Sequence, residues 1–418
     1  MSNPIPVIIG GVSHLQTDFT ASMTELSNLA SANNLQVAAK MTQDLDEVNH
    51  QTYFGKGKIE ELKQLAIQLD IKLIVVNDEL TPAQLRNLEK STKLNFLDRT
   101  ELILQIFQHA AHSRQAQLQV AIAQLQYQLP RIHPSGNPLD QQRGSAGLTN
   151  RGAGESQLEL DKRVIRHRIS KYKQDLTKIQ QTLSIQSQQR KQANLPQVAL
   201  VGYTNAGKST TLNGILELTQ TTSAKKVTAK NQLFTTLDTA IRRIDLPEQT
   251  SFLLSDTVGF VSKLPHKLIE AFQSTLEEAK NADLLVQVID YSDQDYQRTI
   301  QTTQQTLSQL GITDKPMIYA YNKANLVNID NLPQLDGVNI YYDARNQSSI
   351  KSLVKLIEQQ LLKNYCLLDV LIPFSQGQLV NYIQDNLTIQ TKKYTDQGTQ
   401  YQLLVNKADY QRLAPFKA

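Results

Sequence analysis

The chain has few of the features that mark secreted, membrane or metal-cluster proteins. It contains a single cysteine, Cys366, so an internal disulfide is excluded, and no Cys/His spacing indicates a zinc site. No apolar run approaches the roughly 20 residues that a bilayer-spanning helix needs, and the residues after Met1 lack the basic start and apolar core of a signal peptide. We therefore expect a cytoplasmic monomer with no membrane span; peripheral association with a membrane stays open.

The composition is that of an ordinary globular protein, with an uneven charge. Hydrophobic residues make up 40% of the 418 residues and charged residues 20%, and the length predicts about three domains. The formal net charge is only +4, yet residues 131–173 contain nine lysines and arginines against four acids. This segment alone has a larger basic surplus than the whole chain.

A phosphate-binding loop is indicated at residues 202–210, where two glycines separated by four residues are followed by Lys and Ser. The apolar run 198–201 precedes the loop and a helical pattern follows it, so the loop lies where a strand turns into a helix. An ordinary glycine-rich turn is the alternative. The candidate nucleotide-binding residues here are Gly202, Tyr203, Thr204, Asn205, Ala206, Gly207, Lys208, Ser209 and Thr210.

Each feature of this loop has a chemical reason. Glycines let successive backbone N–H groups wrap around a phosphate at a helix N-terminus that already favours anions. Lys208 would reach the β- and γ-phosphate oxygens, and the Ser209 hydroxyl would be a ligand of Mg²⁺. The loop therefore predicts binding of a nucleoside triphosphate with Mg²⁺.

Residues 1–98 predict a small α/β domain with a partly parallel sheet, because short aliphatic runs alternate with helical patterns. Within it, residues 53–58 carry two glycines and two lysines before a helix predicted at residues 58–69. Two interpretations stay open for this segment. It is either a backbone nest that binds a phosphate of RNA or of a nucleotide, or a solvated loop before a helix.

Residues 99–194 predict a helical hairpin. Apolar residues recur every three or four positions in residues 102–129 and again from about Glu155, a pattern typical of a two-helix coiled coil. Helices of a globular core are the alternative, which the glutamine-rich remaining faces disfavour. The connecting residues 130–154 are rich in Gly, Pro, Ser and Arg and have no apolar period.

The basic hairpin loop predicts contact with RNA, since arginines can bind phosphates and unstacked bases. A protease-sensitive linker is the alternative. The candidate RNA-binding residues are Arg131, Arg143, Arg151, Lys162 and Arg163.

Three stretches together resemble the HflX family of ribosome-associated GTPases: residues 52–62, 150–161 and 202–210. The first two are not general GTPase features, and the similarity continues in order from about Val7 to the C-terminus. The resemblance implies an α/β fold in which a P-loop GTPase domain with a mostly parallel sheet, residues 195–364, follows the N-terminal domain and hairpin. It also implies GTP hydrolysis to GDP with Mg²⁺, and binding to the large (50S) ribosomal subunit and its rRNA, with the hairpin tip toward the peptidyl-transferase region.

The resemblance also assigns the two switch segments, which form a two-state element held by the γ-phosphate. Residues 252–256 form an apolar strand that ends in the Mg²⁺-site carboxylate, acting through water. The first switch consists of Phe234, Thr235, Thr236, Leu237 and Asp238, and the second of Asp256, Thr257, Val258 and Gly259. The candidate catalytic residues are Lys208, Thr236, Asp256 and Gly259, and the candidate metal ligands are Ser209, Thr236 and Asp256.

Phe260 stands where many GTPases place a glutamine that orients the attacking water. An apolar side chain cannot hydrogen-bond to water, so we expect slow intrinsic hydrolysis. Other groups must then complete the hydrolytic geometry, and we expect this to happen on the ribosome.

The predicted guanine site departs from the family pattern at two places. A guanine-reading motif ends in Asp, and this chain has Asn325; an amide presents one acceptor edge and one donor edge, whereas a carboxylate accepts twice. Asp343 replaces the usual serine of the base-capping loop, although the Ala344 N–H could still bind the guanine O6. We expect weakened guanine selectivity at a base site formed by Asn322, Lys323, Ala324, Asn325, Asp343, Ala344 and Arg345.

Residues 365–418 predict a small α+β module, with strands at 367–372, 388–394 and 400–405 and a helix at 377–386. The module contains no recognisable group of catalytic residues, and we interpret it as an accessory contact surface. Three hypotheses for the whole chain follow: a ribosome-splitting or rescue GTPase, a GTPase of ribosome assembly or RNA modification, and a nucleotide switch acting on a protein partner.

Overall fold

The computed structural model describes two compact units, Met1–Gln180 with Ser262–Phe272, and Gln181–Val261 with Gln273–Ala418. None of the described helices is long and apolar enough to cross a membrane. The first switch, Arg143 and Val258 lie outside the described residues, which are 3–14, 18–132, 150–192, 195–219, 240–245, 251–257, 259–262, 277–327, 329, 331–363 and 365–418.

A four-stranded parallel sheet in the order β2-β1-β3-β4 forms the centre of the first unit. The prediction of a partly parallel α/β domain is confirmed, and every strand pair is parallel. Ile8, Leu62 and Ile74 are completely buried in its core. The elements are β1 (Ile5–Ser13), α1 (Phe19–Ala32), β2 (Leu35–Asp44), α2 (Lys56–Gln68), β3 (Leu73–Val76), α3 (Pro82–Thr92), β4 (Asn95–Asp98) and α4 (Arg99–Ala110).

The second half of the glycine- and lysine-containing segment at residues 53–58 is helical. Helix α2 begins at Lys56, two residues before the predicted start. Only residues 53–55 of the segment therefore precede the helix. The Gly55 N–H donates to Gln43 Oε1 at 3.0 Å, and Lys58 forms an ion pair with Glu61 one turn along the helix. The loop interpretation therefore applies to residues 53–55 only, and phosphate binding by this segment stays a prediction.

The single helix predicted at residues 102–129 is also wrong. Helix α4 ends at Ala110 and helix α5 spans Arg114–Gln128, because the Ser113 side chain accepts from the Ala116 N–H and caps a new helix. Leu118, Val120 and Ile122 are all buried, on more than one face of α5. The interpretation as a core helix therefore describes α5 better than one seam of a coiled coil.

A long helix, α6 (Asn150–Gln192), follows. It begins before the predicted position near Glu155, so Arg151, Gly152 and Gly154 are helical and do not belong to a loop. The described side chains of α6 are exposed or half-buried. Its pairing in a hairpin stays a prediction.

The second unit contains a seven-stranded sheet in the order β10-β11-β9-β8-β5-β7-β6, parallel except for the antiparallel edge strands β6 and β10. Because β5, β7, β8 and β9 are parallel, their carboxyl ends meet at one edge of the sheet, where open α/β sheets bind ligands. The elements are β5 (Gln197–Val201), α7 (Lys208–Leu218), β6 (Ala240–Asp245), β7 (Ser251–Asp256), β8 (Leu284–Asp290), α8 (Tyr296–Gln309), β9 (Met317–Asn322), β10 (Gln334–Asp336), β11 (Asn339–Tyr341) and α9 (Gln347–Leu362).

The C-terminal module confirms the predicted order of elements. Its three-stranded antiparallel sheet, in the order β12-β14-β13, buries alternate residues such as Val370, Tyr401 and Leu403 against its helices. The elements are β12 (Tyr365–Ile372), α10 (Gly377–Asn386), β13 (Thr388–Thr395), β14 (Gly398–Asn406) and α11 (Lys407–Leu413).

Candidate nucleotide-binding site

The loop between β5 and α7 has the backbone of a phosphate cradle. Gly202, Asn205 and Gly207 have φ values of 140°, 62° and 98°, so the chain turns through positive φ three times within six residues. A Cβ on Gly202 would collide with the Val288 carbonyl oxygen, and one on Gly207 with the Asn322 side-chain amide. Both positions thus require glycine, and the resulting loop ends at a helix N-terminus where N–H groups favour an anion.

Lys208 is buried at the first turn of α7, and its Nζ donates to the carbonyl oxygens of Gly202 at 3.0 Å and Tyr203 at 2.8 Å. Burial lowers the pKa of the Lys208 ammonium to about 8, although the nearby Asp256 carboxylate raises it in part. A bound phosphate would favour the charged ammonium. Phosphate binding and protonation of Lys208 are therefore coupled.

Two of the three candidate Mg²⁺ ligands lie together. The Ser209 hydroxyl donates to Asp256 Oδ2 at 2.8 Å, and both residues are buried. Hydroxyl and carboxylate oxygens are hard ligands of the kind that Mg²⁺ prefers, so this pair fits the ion. Among the described residues no group of three or more His, Cys, Asp or Glu could hold a metal alone. The third candidate ligand, Thr236, lies outside the described residues.

Gly259 brings the second switch against the phosphate loop. A Cβ at this position would lie 2.8 Å from Thr204 Cγ2 and 2.9 Å from Lys208 Nζ. The next residue, Phe260, pairs with the loop through its backbone: its N–H donates to the Gly202 carbonyl at 3.1 Å and its carbonyl accepts from the Thr204 N–H at 2.8 Å. The two segments are therefore joined directly.

The Phe260 side chain is 2% exposed and belongs to a core cluster with Ala199, Val201 and Leu285. It is anchored in the hydrophobic core, so this position supplies no polar group to a water at the γ-phosphate. The geometry agrees with the expectation from its apolar chemistry.

Asn322 connects the phosphate loop to the base-capping loop. Its Nδ2 donates to the Ala206 carbonyl at 2.9 Å, and its Oδ1 accepts from the Ala344 N–H at 2.9 Å. The bond from the Ala344 N–H to guanine O6 stays a prediction, and here the same N–H is donated to Asn322. The buried Asn322 thus orders both loops.

The other base-site residues lie closer to solvent. Lys323 has a φ of 61° and its Nζ lies 2.6 Å from Asp290 Oδ2. Asn325 and Arg345 are exposed, and the Arg345 N–H donates to Asp343 Oδ1 at 2.9 Å. Asn325 thus lies at the exposed rim of the site and Asp343 is half-buried, whereas Thr257 and Ala324 are buried.

Two contacts around this site, and one cluster within the first unit, were not predicted. Asp290, which pairs with Lys323, ends strand β8 at the edge that carries the site, and that position was a usable signal. The hydroxyls of Thr211 and Tyr342 lie 2.6 Å apart behind the loop, where the sequence shows no motif. Within the first unit, the buried Arg99 binds Glu25 at 2.7 Å and the Ser262 carbonyl at 3.2 Å.

Arg131 does not fit its predicted role as an RNA contact. Its guanidinium is 11% exposed, lies 3.5 Å from the centroid of the Tyr127 ring, and donates to the Leu80 carbonyl at 2.6 Å and Asp98 Oδ2 at 3.3 Å. The Arg131 guanidinium is therefore already paired with groups inside the protein. On α6, Lys162 is half-buried and Arg163 is exposed, so their RNA contacts stay predictions.

Comparison with known proteins agrees with this geometry. Family models match residues 20–108 ("GTP-binding GTPase N-terminal"), 110–190 ("GTP-binding GTPase Middle Region") and 197–323 ("50S ribosome-binding GTPase"). The chain is 38% identical to GTPase HflX of Caldanaerobacter subterraneus over 395 residues, 94% of this chain and 90% of that protein. It is 38% identical to GTPase HflX of Magnetococcus marinus over 85% of this chain and 81% of that protein.

GTPase HflX of Escherichia coli is 31% identical over 398 residues, which are 94% of this chain and 91% of that protein. Similarity at this level over nearly the whole length of both proteins includes the phosphate loop and second switch described above. The chain therefore belongs to the HflX family of GTPases, which hydrolyse GTP.

Proposed function

We propose that the chain is a cytoplasmic GTP-driven factor that binds the large ribosomal subunit, splits or rescues stalled ribosomes, and is released by hydrolysis. The match of residues 197–323 to a family of 50S ribosome-binding GTPases carries this proposal. Exposed basic residues of α6 support it, namely Arg163, Arg166, Arg168 and Lys171. Such positive charges favour the phosphates of rRNA.

The chemistry of the proposed cycle uses groups already in place. Lys208 and the loop N–H groups would bind the β- and γ-phosphates, and Ser209 and Asp256 would hold Mg²⁺, which supplies charge neutralisation when bound. Because Phe260 lies in the core, hydrolysis without a partner is slow in this proposal. Contact with the ribosome supplies the missing groups and couples hydrolysis to release.

Sedimentation with purified large subunits at several salt concentrations tests the proposal. We expect co-sedimentation with a non-hydrolysable GTP analogue, weaker co-sedimentation with GDP, and a steep decrease with salt because phosphate contacts release counterions. Binding that ignores the nucleotide would contradict the GTP-driven cycle, and no binding at all would contradict a ribosomal function.

The double variant Arg143→Glu/Arg151→Glu tests the basic segment. We expect it to lose ribosome-stimulated hydrolysis and to retain GDP affinity, because neither residue lies near the phosphate loop in sequence. A matched control, Lys392→Glu/Lys393→Glu in the C-terminal module, reverses the same number of charges. Unchanged stimulation in the first variant, or equal loss in both, would contradict RNA contact by this segment.

A further inference from the structure

Five tyrosines lie together on one face of the GTPase sheet, and we call them the tyrosine cluster: Tyr291, Tyr296, Tyr319, Tyr321 and Tyr341. The rings of Tyr321 and Tyr341 are stacked, with centroids 4.7 Å apart and an interplanar angle of 13°. Tyr291 meets both rings nearly edge-on, at 5.6 and 5.2 Å, and its centroid lies 5.1 Å from that of the tilted Tyr296 ring. Tyr291, Tyr296, Tyr321 and Tyr341 thus form a continuous aromatic surface.

Strand alternation explains why these rings share a face. Ile318 and Ala320 of β9 are fully buried in the core that contains α7 and α9, so Tyr319 and Tyr321 point to the opposite side. Tyr341 of β11 pairs in register with Tyr321 and lies beside it. All five tyrosines are half-buried, so each ring keeps part of its surface in solvent.

The connection after β9 contains little regular structure in its described part. Its described residues, 323–327, 329 and 331–333, contain one turn of 3-10 helix at Ala324–Val327 and no α-helix. Half-exposed aromatic rings of this size are typical of interfaces, where they supply a large and rigid contact area.

The charges around the cluster indicate what it binds. Asp293 and Asp295 lie in the turn between Tyr291 and Tyr296 and are exposed, and Asp336 of β10 is exposed on the neighbouring edge strand. The nearby Lys323 ammonium is already paired with Asp290 at 2.6 Å. Carboxylates beside aromatic rings repel phosphates and attract guanidinium groups, which stack on tyrosine and pair with carboxylates in one plane.

We propose that the tyrosine cluster is a docking surface for a basic polypeptide segment, whose arginine side chains stack on the rings and pair with the flanking aspartates. The surface lies apart from the phosphate loop and from α6 in sequence, and its use does not depend on RNA. The inference therefore goes beyond the proposed ribosomal function and can fail or succeed independently of it.

Fluorescence anisotropy with labelled hexa-arginine and hexa-lysine peptides tests the docking surface on the full chain. We expect hexa-arginine to bind about threefold to fivefold more tightly than hexa-lysine, because lysine does not stack. Asp295→Asn/Asp336→Asn and, separately, Tyr296→Ala should each weaken hexa-arginine binding about threefold or more. Unchanged GDP affinity in these variants would show that the domain remains folded.

The matched control is Tyr394→Ala/Asp396→Asn, which removes an exposed tyrosine and a carboxylate from the C-terminal module and should leave peptide binding unchanged. Equal hexa-arginine affinity in the wild type and all variants, or equal affinity for both peptides, would overturn the proposal. Labelled oligouridine provides the competing outcome: if its binding is weakened by Tyr296→Ala, the occupant is single-stranded RNA and the proposed partner is wrong.

Discussion

The phosphate half and the base half of the nucleotide site are built differently. In the phosphate half, Gly202 and Gly207 have positive φ and no room for a Cβ, and Lys208 is buried against the backbone of the loop. In the base half, Asn325 and Arg345 are exposed. The comparison teaches that close backbone packing constrains the triphosphate machinery, whereas base contacts made by exposed side chains can change without disturbing the fold.

Lys208→Ala should break the phosphate half and give the largest effect. We expect GTP affinity to fall about a hundredfold or more, because the loss includes charge-assisted bonds to two phosphates. Titration of a fluorescent GTP analogue measures this. The thermal midpoint of unfolding without nucleotide should not fall, because the substitution removes an ammonium whose burial is costly. A lower midpoint together with normal GTP binding would contradict the role assigned to Lys208.

Gly259→Ala should separate hydrolysis from binding. The added Cβ would lie 2.9 Å from Lys208 Nζ and crowd Thr204, so the γ-phosphate contacts should suffer more than the rest of the site. We expect kcat for GTP to fall about tenfold while GDP affinity changes little. Gly57→Ala is the matched control, because a Cβ there meets no neighbouring atom. Equal activity in both variants would show that Gly259 does not pack against the loop.

Asn325→Asp should sharpen the base half by restoring a second acceptor for guanine. We expect GDP to bind about fivefold to tenfold more tightly, because a buried donor of guanine no longer lacks a partner. Calorimetric titrations with GDP and xanthosine diphosphate measure the two affinities. Xanthosine diphosphate should bind the variant less tightly than it binds the wild type. An equal or weaker GDP affinity would mean that Asn325 does not face the base edge.

The pH dependence of GDP binding should show the smallest effect and should come from the phosphate half alone. Lys208 has a pKa of about 8, and a bound phosphate raises that value, so binding takes up protons and GDP affinity falls as pH rises above about 8. In the absence of nucleotide, the unfolded chain binds more protons than the folded chain above about pH 8. The free energy of unfolding therefore rises with pH in that range. Calorimetry in buffers of different ionisation enthalpy measures the proton uptake; none at pH 8 in the wild type would contradict the lowered pKa.

The sequence predicted local structure best where one pattern acts alone. The helix at residues 377–386 and the succession of strands and helices along the C-terminal module follow from alternation and turn residues, and the structure confirms them. The sequence did not predict the break after Ala110, because the apolar period continues across it. A single N-cap, the Ser113 side chain, starts a new helix there.

Charge was the least reliable guide to a contact. Arg131 looked like part of a basic RNA-binding loop, yet Tyr127, Leu80 and Asp98 surround it, and two of these partners are more than thirty residues away in sequence. Net charge along a segment does not show which charges are already paired. The RNA contact of the exposed Arg163 on α6 stays a prediction.

The sequence by itself determined the chemistry of the phosphate site: the spacing of Gly202, Gly207, Lys208 and Ser209 specifies a strand–loop–helix cradle, because only glycine adopts the required backbone there. Only the tertiary structure decided how that cradle is supported. Asn322 joins it to the base-capping loop, and Phe260 pairs with it through the backbone while its ring lies in the core. These contacts join residues far apart in the chain, and their geometry depends on parallel strands that meet at one edge of the sheet.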